Sequence, residues 1–245
     1  HPWGECLCTP EEFTLGVNAY VHLRSLCFNK YMPSRIVPFV NNEYYHIFNR
    51  GVAKMQIFNN ASDYKHFINT LFYYQVDGPK PRFSFFRKQP VTLANNVKIV
   101  EIICYCLMPN HFHFLLRQKK DSGITEFVSK ISNSYTRYFN VKNKRIGPLL
   151  QGEFKAVYVE SNEQLLHLSR YIHLNPLIGY VTKELNFYRW SSYPEYLGLT
   201  RNICSKDEVL GQFKSAKDYE KFVLDQVEYA RNLDFIKHKL LDVEE

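Results

Sequence analysis

The central part of the chain contains four short segments with either the two-residue hydrophobic period or the composition of a strand. Residues 43–50 alternate aromatic and polar side chains and stop at Gly51. Residues 97–108 are rich in Val, Ile and Cys, and the residues from His111 onwards alternate again. A fourth short segment covers residues 155–160. Because strand residues alternate between the two faces of a sheet and β-branched residues favour strands, these segments predict four strands.

Three other segments have the spacing of a helix. The first opens at Ser62, the second follows Asp121, and the third begins at Ser161. Ser161 and Gln164 have the spacing of a capping box, and Pro176 marks the end of the third helix or a break near it. The apolar stripe of the first helix consists of Tyr64, Phe67, Ile68, Leu71 and Phe72. The stripe of the second consists of Ile124, Phe127, Val128, Ile131, Tyr135, Tyr138 and Phe139.

The order of these elements predicts the fold class. Two helices among four strands, without strict alternation, favour an α+β sandwich with one antiparallel sheet. Residues 78–96 have the composition of a loop or irregular hairpin, and residues 140–148 that of a polar, basic turn. Residues 206–243 predict two further amphipathic helices. At 245 residues the chain is long enough to bury a full core.

The six cysteines do not form a disulfide framework. Neither closely spaced pair has the spacing or the downstream ligands of a zinc site. Reduced, buried thiols of a cytosolic protein are therefore expected. No apolar run reaches the length of a membrane span.

The charge distribution favours a polyanionic partner. The net charge is +7 and the isoelectric point is near 9.0. Residues 117–155 hold nine basic side chains against three acidic ones, an excess of six, although a solvated basic face is the simpler alternative. Aromatic residues make up 16% of the chain and could serve as core, as base-stacking platforms, or as both.

The candidate chemistry begins with His111 and His113. They share one face of a strand, while the reverse face carries Phe112 and Phe114. Two imidazoles before a buried sheet suit a divalent cation. Two histidines at this spacing are a weak signal alone, since packed or solvated strand histidines would give the same pattern.

Several motifs in a fixed order make the signal specific. Met108-Pro109-Asn110 precedes the histidine pair, and Tyr171-Ile-His-Leu-Asn-Pro176 follows it. Together these motifs resemble the REP-associated tyrosine transposases, members of the HUH-type single-tyrosine transposase superfamily. The resemblance spans roughly residues 32 to 197. It also includes Tyr45-His-Ile-Phe-Asn-Arg-Gly51, Gln151-Gly-Glu-Phe-Lys155 and Trp190-Ser-Ser-Tyr193.

The resemblance implies a fold and a reaction. The family's ferredoxin-like core has an antiparallel sheet with helices on one face, here followed by a C-terminal helical extension. Tyr171 matches the nucleophile, His111 and His113 match the metal-binding pair, and Asn175 matches the third ligand. The implied cofactor is Mg²⁺ or Mn²⁺. The implied activity is nicking and strand transfer through a covalent 5′-phosphotyrosine, in the cytoplasm and associated with the nucleoid, by a monomer or a homodimer.

The implied partner is single-stranded DNA or the hairpin ends of repetitive elements. The candidate DNA contacts are Arg50, Arg117, Lys119, Lys120, Gln151 and Lys155. Glu153 stands where relatives often carry a basic residue, which weakens the phosphate contact expected of that motif.

The resemblance also divides the chain into segments. Residues 1–31 match nothing in the family, show no periodic apolar face, and are expected to be a non-native or disordered extension. Met32, just ahead of the first motif, is the expected start of the catalytic domain at residues 32–197. Residues 198–245 are the expected C-terminal helical extension. A signal peptide is not expected, because no clean apolar core follows a basic start.

Alternatives remain at this level. A catalytically silent DNA-binding protein on the same fold, or a metal-dependent hydrolase using water, would keep some of these residues. Tyr171 could be an amphipathic core residue, and Asn175 could be a helix C-cap. His167 could assist in deprotonating the tyrosine or be a surface residue, while His173 is expected to be structural because it lies on another helix face.

Overall fold

The computed structural model describes residues 38–78, 83, 97–200, 203–228 and 231. Its centre is a four-stranded sheet with the order β2-β3-β1-β4. Neighbouring strands in the sheet are all antiparallel, as predicted. The strands are β1 (Tyr44–Arg50), β2 (Val100–Met108), β3 (His111–Gln118) and β4 (Lys155–Val159).

Six α-helices lie in the described residues. They are α1 (Ala61–Tyr74), α2 (Gly123–Lys142), α3 (Asn162–Ile178), α4 (Tyr193–Tyr196), α5 (Asp207–Leu210) and α6 (Ala216–Leu224). Short 3-10 turns cover Val52–Lys54 and Leu185–Phe187. The order β1-α1-β2-β3-α2-β4 with this sheet is the ferredoxin-like sandwich, so the predicted fold class is confirmed.

The two faces of the sheet have different partners. The ring of Phe67 on α1 lies 5.5 Å from that of Phe112 and 6.2 Å from that of Phe114. It also meets the ring of Tyr135 on α2 at 4.9 Å. Helices α1 and α2 therefore cover one face, as predicted. Because strand side chains alternate, His113 points to the opposite face, where α3 packs.

Several element boundaries differ from those predicted. α1 begins one residue before Ser62, because the side-chain oxygen of Asn60 accepts from the Ser62 amide and caps the helix. Phe72, placed on the apolar stripe, is 49% exposed, while its neighbour Tyr73 is buried. α2 continues past the predicted turn start at residue 140 to Lys142.

The third helix is longer than its proline indicated. Pro176 lies inside α3, which ends two residues later at Ile178. The Gly179 amide bonds to the Asn175 carbonyl at 2.9 Å and closes the last turn. Ser161 caps the other end, where its hydroxyl accepts from the Gln164 amide at 3.2 Å, as the capping-box spacing predicted.

The chain after α3 is tied to the sheet and to α3. Ser191 pairs with Cys106 at the edge of β2, and the Ser192 amide bonds to the Tyr105 carbonyl at 2.9 Å. The described residues belong to one compact unit. Helices α5 and α6 lie within the two helices predicted for residues 206–243, although residues 229–230 and 232–243 lie outside the described part.

Other predictions concern residues that the structure does not describe. The expected extension at residues 1–31, most of the loop at residues 78–96, and the cysteines at positions 6, 8 and 27 are among them. The remaining three cysteines, Cys104, Cys106 and Cys204, are free and buried. Among the described residues no helix is both long and apolar enough to cross a membrane.

Candidate active site

Strand β3 and helix α3 bring the predicted histidines and tyrosine together. The imidazoles of His111 and His113 lie with ring centroids 5.0 Å apart and planes at 89°. The Tyr171 ring stands edge-on to that of His113, with centroids 5.7 Å apart. The sequence separates these side chains by nearly sixty residues, so their contact is produced by packing α3 on the histidine face of the sheet.

The ring of His111 is oriented by its neighbour in the chain. The Nδ1 atom of His111 lies 2.6 Å from Oδ1 of Asn110. The amide nitrogen of Asn110 donates to the Lys54 carbonyl at 3.3 Å, so the amide oxygen is the atom that faces the imidazole. An amide oxygen only accepts, and therefore Nδ1 of His111 carries the proton. Its Nε2 then keeps a lone pair for a ligand.

A third histidine, absent from the predicted site, contacts this pair. Nε2 of His46 on β1 lies 2.9 Å from Nδ1 of His113. The His46 ring is 5.1 Å from that of His113 and 6.2 Å from that of Tyr171. His46 lies within one of the family motifs, and strand alternation places it on the histidine face. Its diagonal contact with His113 could not be predicted from the residue pattern, because that contact depends on the register of β1 against β3.

All three imidazoles are held neutral. Burial lowers the pKa of His111 to about 4, with a smaller contribution from the positive charge of Arg50. Burial also lowers the pKa of His46 to about 3. The pKa of His113 is well below its usual value because of burial and the neighbouring His46 and His111. Neutral imidazole is the form that binds a metal, so the pair is ready to act as ligands at neutral pH.

Asn175 lies one turn beyond Tyr171 on the same helix face. Its amide nitrogen donates to the Tyr171 carbonyl at 2.9 Å, which turns the amide oxygen away from the helix backbone. One turn further along, Gly179 packs closely against Met108, since a Cβ at position 179 would lie 2.9 Å from Cε of Met108. Met108 is the strand partner of His111. The face that carries Tyr171 and Asn175 therefore follows the sheet from His113 towards His111. The helix C-cap is Gly179, so Asn175 is not the cap.

The donor set fits a divalent cation. Two imidazole Nε2 atoms and one amide oxygen are neutral donors, which leave a bound Mg²⁺ or Mn²⁺ its full charge. Among the residues that the structure describes, no three His, Cys, Asp or Glu side chains are grouped so that they could hold an ion. Any metal here would therefore depend on the histidine pair with Asn175 and solvent or DNA oxygens, and a carboxylate-rich hydrolase site is not present in these residues.

Three of the predicted DNA contacts, Arg50, Gln151 and Lys155, lie close to the histidines. Arg50 is the strand partner of His111, and its Nε donates to Oε1 of Gln151 at 2.5 Å. The Gln151 amide bonds to the Arg50 carbonyl at 2.8 Å, which fixes the two segments side by side. Lys155 on β4 is the strand partner of Phe48, which is itself the partner of His113. Arg50 and Lys155 therefore belong to the histidine face.

The other three predicted contacts lie at the opposite end of β3. Arg117 is bonded to Glu208 at 2.9 Å and lies 3.6 Å from Glu101. Lys119 is 3.9 Å from the same Glu101, and Lys120 is 2.7 Å from Asp77. Each of these cations has an acidic partner at the end of the strand away from His111, so the structure does not bring them to the candidate site.

The basic helix α2 is also separated from the site. It packs with α1 on the phenylalanine face of the sheet, behind the histidines. Lys130 pairs with Glu126 one turn earlier, and Lys142 pairs with the buried Asp63. The charge excess of residues 117–155 is therefore spread around the fold.

The two histidines of α3, His167 and His173, have partners outside the candidate site. His173 is completely buried and lies 2.7 Å from the Tyr219 hydroxyl and 2.8 Å from that of Ser192. It is structural, as predicted. His167 lies 3.7 Å from Glu163 and is bonded through Nδ1 to Arg170. These contacts hold its imidazole in a surface cluster.

The sequence comparison identifies the family that this site resembles. The family model described as transposase IS200-like matches residues 87–175, which include both histidines of the pair, Tyr171 and Asn175. The resemblance to the IS200-like transposases is confirmed. A comparison with curated proteins finds no match.

One solved structure has the same architecture. A REP-associated tyrosine transposase bound to a REP hairpin aligns with a TM-score of 0.51 at 14% identity, over 69% of this chain and 89% of that one. At this identity the likeness establishes the shared fold. A candidate transposase from Deinococcus radiodurans aligns with a TM-score of 0.33 at 14% identity, over 58% of this chain and 95% of that one.

Proposed function

We propose that this IS200-like protein nicks and rejoins single-stranded or hairpin DNA through a covalent bond between Tyr171 and a 5′-phosphate. The observation that carries the proposal is the position of Tyr171, edge-on to His113 beside two imidazoles whose Nδ1 atoms are engaged in hydrogen bonds. A nucleophile and a pair of prepared nitrogen ligands therefore share one face of the sheet.

The three ligand residues would hold Mg²⁺ or Mn²⁺. His111 and His113 would contribute Nε2, and Asn175 its amide oxygen, because none of these three atoms takes part in the hydrogen bonds described for its side chain. A bound cation supplies positive charge that polarises a phosphate and offsets the negative charge that develops on it. The neutral donors of this chain preserve that charge, and burial of His113 limits competing protonation of the site.

Tyr171 would act as the nucleophile. Its phenolic oxygen attacks the phosphorus of the scissile phosphodiester, the bond to the 3′-oxygen breaks, and the DNA is left with a free 3′-hydroxyl and a 5′-phosphotyrosine. The phenol gives up its proton to solvent, and the leaving oxygen gains one. Since the new bond is also a phosphodiester, a 3′-hydroxyl can reverse the step and join a different end without ATP.

Arg50 and Lys155 would hold the DNA backbone next to the nucleophile. The bond from Nε of Arg50 to Gln151 leaves the two terminal nitrogens of the guanidinium to bind a phosphate. Lys155 lies on the edge strand in the same cross-strand row as His113. The solved relative bound to a REP hairpin supports a hairpin as the preferred substrate.

A labelled hairpin with a single-stranded flank, incubated with the protein and Mn²⁺, tests the proposal. A protein–DNA adduct that survives denaturation is the expected product. Free cleaved DNA without an adduct would instead indicate a hydrolase that uses water, and retarded but intact DNA would indicate a binding protein without chemistry. Either of those outcomes would contradict the proposal.

A further inference from the structure

His46 is a half-buried polar group that the proposed reaction does not use. It lies on β1, diagonal to His113 on the same face of the sheet. Its ring packs against that of Phe48 at 4.9 Å and stacks on that of His113 at 5.1 Å and 21°. One of its nitrogens, Nε2, is hydrogen-bonded to Nδ1 of His113 at 2.9 Å.

The bond between the two imidazoles has two forms. In one, Nδ1–H of His113 donates to Nε2 of His46, and Nε2 of His113 keeps its lone pair. In the other, Nε2–H of His46 donates to Nδ1 of His113, and the proton of His113 then occupies its Nε2. Only the first form leaves His113 able to bind a metal through Nε2, the ring atom that lies away from His46.

His111 provides an internal comparison. Its Nδ1 is bonded to the amide oxygen of Asn110, which only accepts, so its Nε2 is the open nitrogen. The first form of the His46–His113 bond gives His113 the same tautomer. In that form both imidazoles keep Nε2 as the nitrogen with a lone pair. An acceptor on the second nitrogen of a ligating histidine fixes the ring and raises its basicity.

We propose that His46 is a positioning residue that accepts a hydrogen bond from His113 and holds it in the tautomer that binds metal through Nε2. The inference rests on the proposed function, since it assigns His113 as a ligand. His46 itself is not a ligand, because its Nε2 is occupied by His113. It acts at the site through His113 alone.

Two substitutions of His46 separate hydrogen bonding from packing. H46Q keeps an acceptor, since the amide oxygen of Gln lies the same number of bonds from Cβ as Nε2 of His. H46F keeps a ring against Phe48 and Tyr171 but accepts no hydrogen bond. The measured quantity is the affinity of the DNA-free protein for Mn²⁺, read from the electron paramagnetic resonance signal of the free ion, with circular dichroism and the thermal midpoint as checks on folding.

H46F should bind Mn²⁺ about 10- to 100-fold more weakly than wild type, and H46Q within about threefold of it. Equal losses in the two variants, or no loss in H46F, would overturn the role of His46 while the metal site stands. Two results would overturn the proposed metal site together with this inference. One is that the wild-type protein binds no Mn²⁺, and the other is that wild type and H111A bind Mn²⁺ with the same affinity.

The tautomer can also be read without any variant that might misfold. Long-range proton–nitrogen correlation spectra of the wild-type protein distinguish a protonated Nδ1 from a protonated Nε2 in each histidine. The proposal requires Nδ1–H in both His113 and His46. A spectrum that shows Nε2–H in His113 would overturn it.

Discussion

At the scale of single residues, hydrogen bonds to backbone and side-chain acceptors decide which atoms of the site face outwards. Asn110 orients His111, the Tyr171 carbonyl orients the Asn175 amide, and His46 is bonded to His113. None of these bonds uses the atom that a metal would need. The site is therefore organised in the protein before any ligand binds.

The first prediction concerns the histidine pair. His111→Ala and His113→Ala should each abolish metal-dependent cleavage, and the double variant should be little worse than either, because ligands of one ion act as a unit. Cleavage rates in Mn²⁺ measure this. The control is wild-type protein in excess chelator, and undiminished cleavage there would show that no metal takes part.

A second prediction concerns His173 and pH. Burial lowers its folded-state pKa to about 3, against about 6.5 in the unfolded chain. The unfolded chain therefore takes up the proton first. The free energy of unfolding is therefore at its full value above pH 6.5 and decreases as pH falls towards 3. The decrease due to His173 amounts to ~2 kcal/mol by pH 5.

Urea unfolding of wild type and His173→Gln at pH 7 and pH 5 measures that contribution. Gln does not titrate. Between pH 7 and pH 5 the free energy of unfolding should therefore fall by ~2 kcal/mol less in the variant than in wild type. The other buried histidines are common to both proteins and cancel in the comparison. Identical pH dependence in the two would show that His173 is not held neutral.

The residues of the proposed site could be named from the sequence, whereas several residues that contact them could not. His111, His113, Tyr171 and Asn175 occur in motifs whose order is specific. His46 could not be assigned, because strand alternation fixes the face of a side chain but not its diagonal neighbour across the sheet. Likewise, the acidic partners of Arg117 come from elements distant in the chain, so its ion pairs could not be foreseen.

At the scale of elements, helix α3 links the site to the C-terminal part of the chain. Tyr171 and Asn175 face the sheet, while His173 between them bonds to Tyr219 on α6. The Tyr219 hydroxyl also donates to that of Ser169 at 3.1 Å. Helix α6 thus supports the part of α3 that carries Tyr171, the proposed nucleophile.

Tyr219→Phe tests this link. The change removes one hydroxyl without altering the ring packing, and it leaves Nδ1 of the buried His173 without its partner. We expect the free energy of unfolding to fall by about 1–3 kcal/mol. Tyr180→Phe, at a tyrosine that is 79% exposed, is the matched control and should change stability little. Equal stability of both variants would show that the bond to α6 contributes nothing.

The four strands and three long helices were predictable because their hydrophobic periods are strong. Their ends depended on finer contacts. The Asn60 cap moved the start of α1, and α3 continued past Pro176 because a proline in the last turn removes only one backbone donor. Phe72 is exposed because it lies at the edge of the apolar stripe of α1. At that edge the spacing of residues alone does not determine which side chains the rest of the protein covers.

At the scale of the whole molecule, the positive charges fall into separate groups. Arg50 and Lys155 lie on the histidine face, whereas the cations of α2 lie behind the sheet and those at the end of β3 are paired with acids. A net charge of +7 still attracts a polyanion from a distance. Close contact with DNA at the site should depend on the first group.

DNA binding at several salt concentrations measures that difference. Affinity for a hairpin should fall steeply with salt, and Arg50→Ala should reduce the logarithmic slope by about 1, since one phosphate contact is lost. Arg117→Ala is the control and should change the slope less, because Glu208 and Glu101 already neutralise its charge. A flat salt response, or preference for plain duplex, would count against a single-strand substrate.

The central claim is that Tyr171 becomes covalently attached to DNA, and the most direct measurement locates the attachment. After reaction with a short hairpin substrate and Mn²⁺, trypsin releases residues 171–183, which contain both Tyr171 and Tyr180. Tandem mass spectrometry should find the nucleotide on Tyr171, with Tyr180 unmodified as an internal control, and Tyr171→Phe should form no adduct while binding the hairpin as wild type does. A modified Tyr180, or an adduct that persists in Tyr171→Phe, would contradict the assignment of the nucleophile.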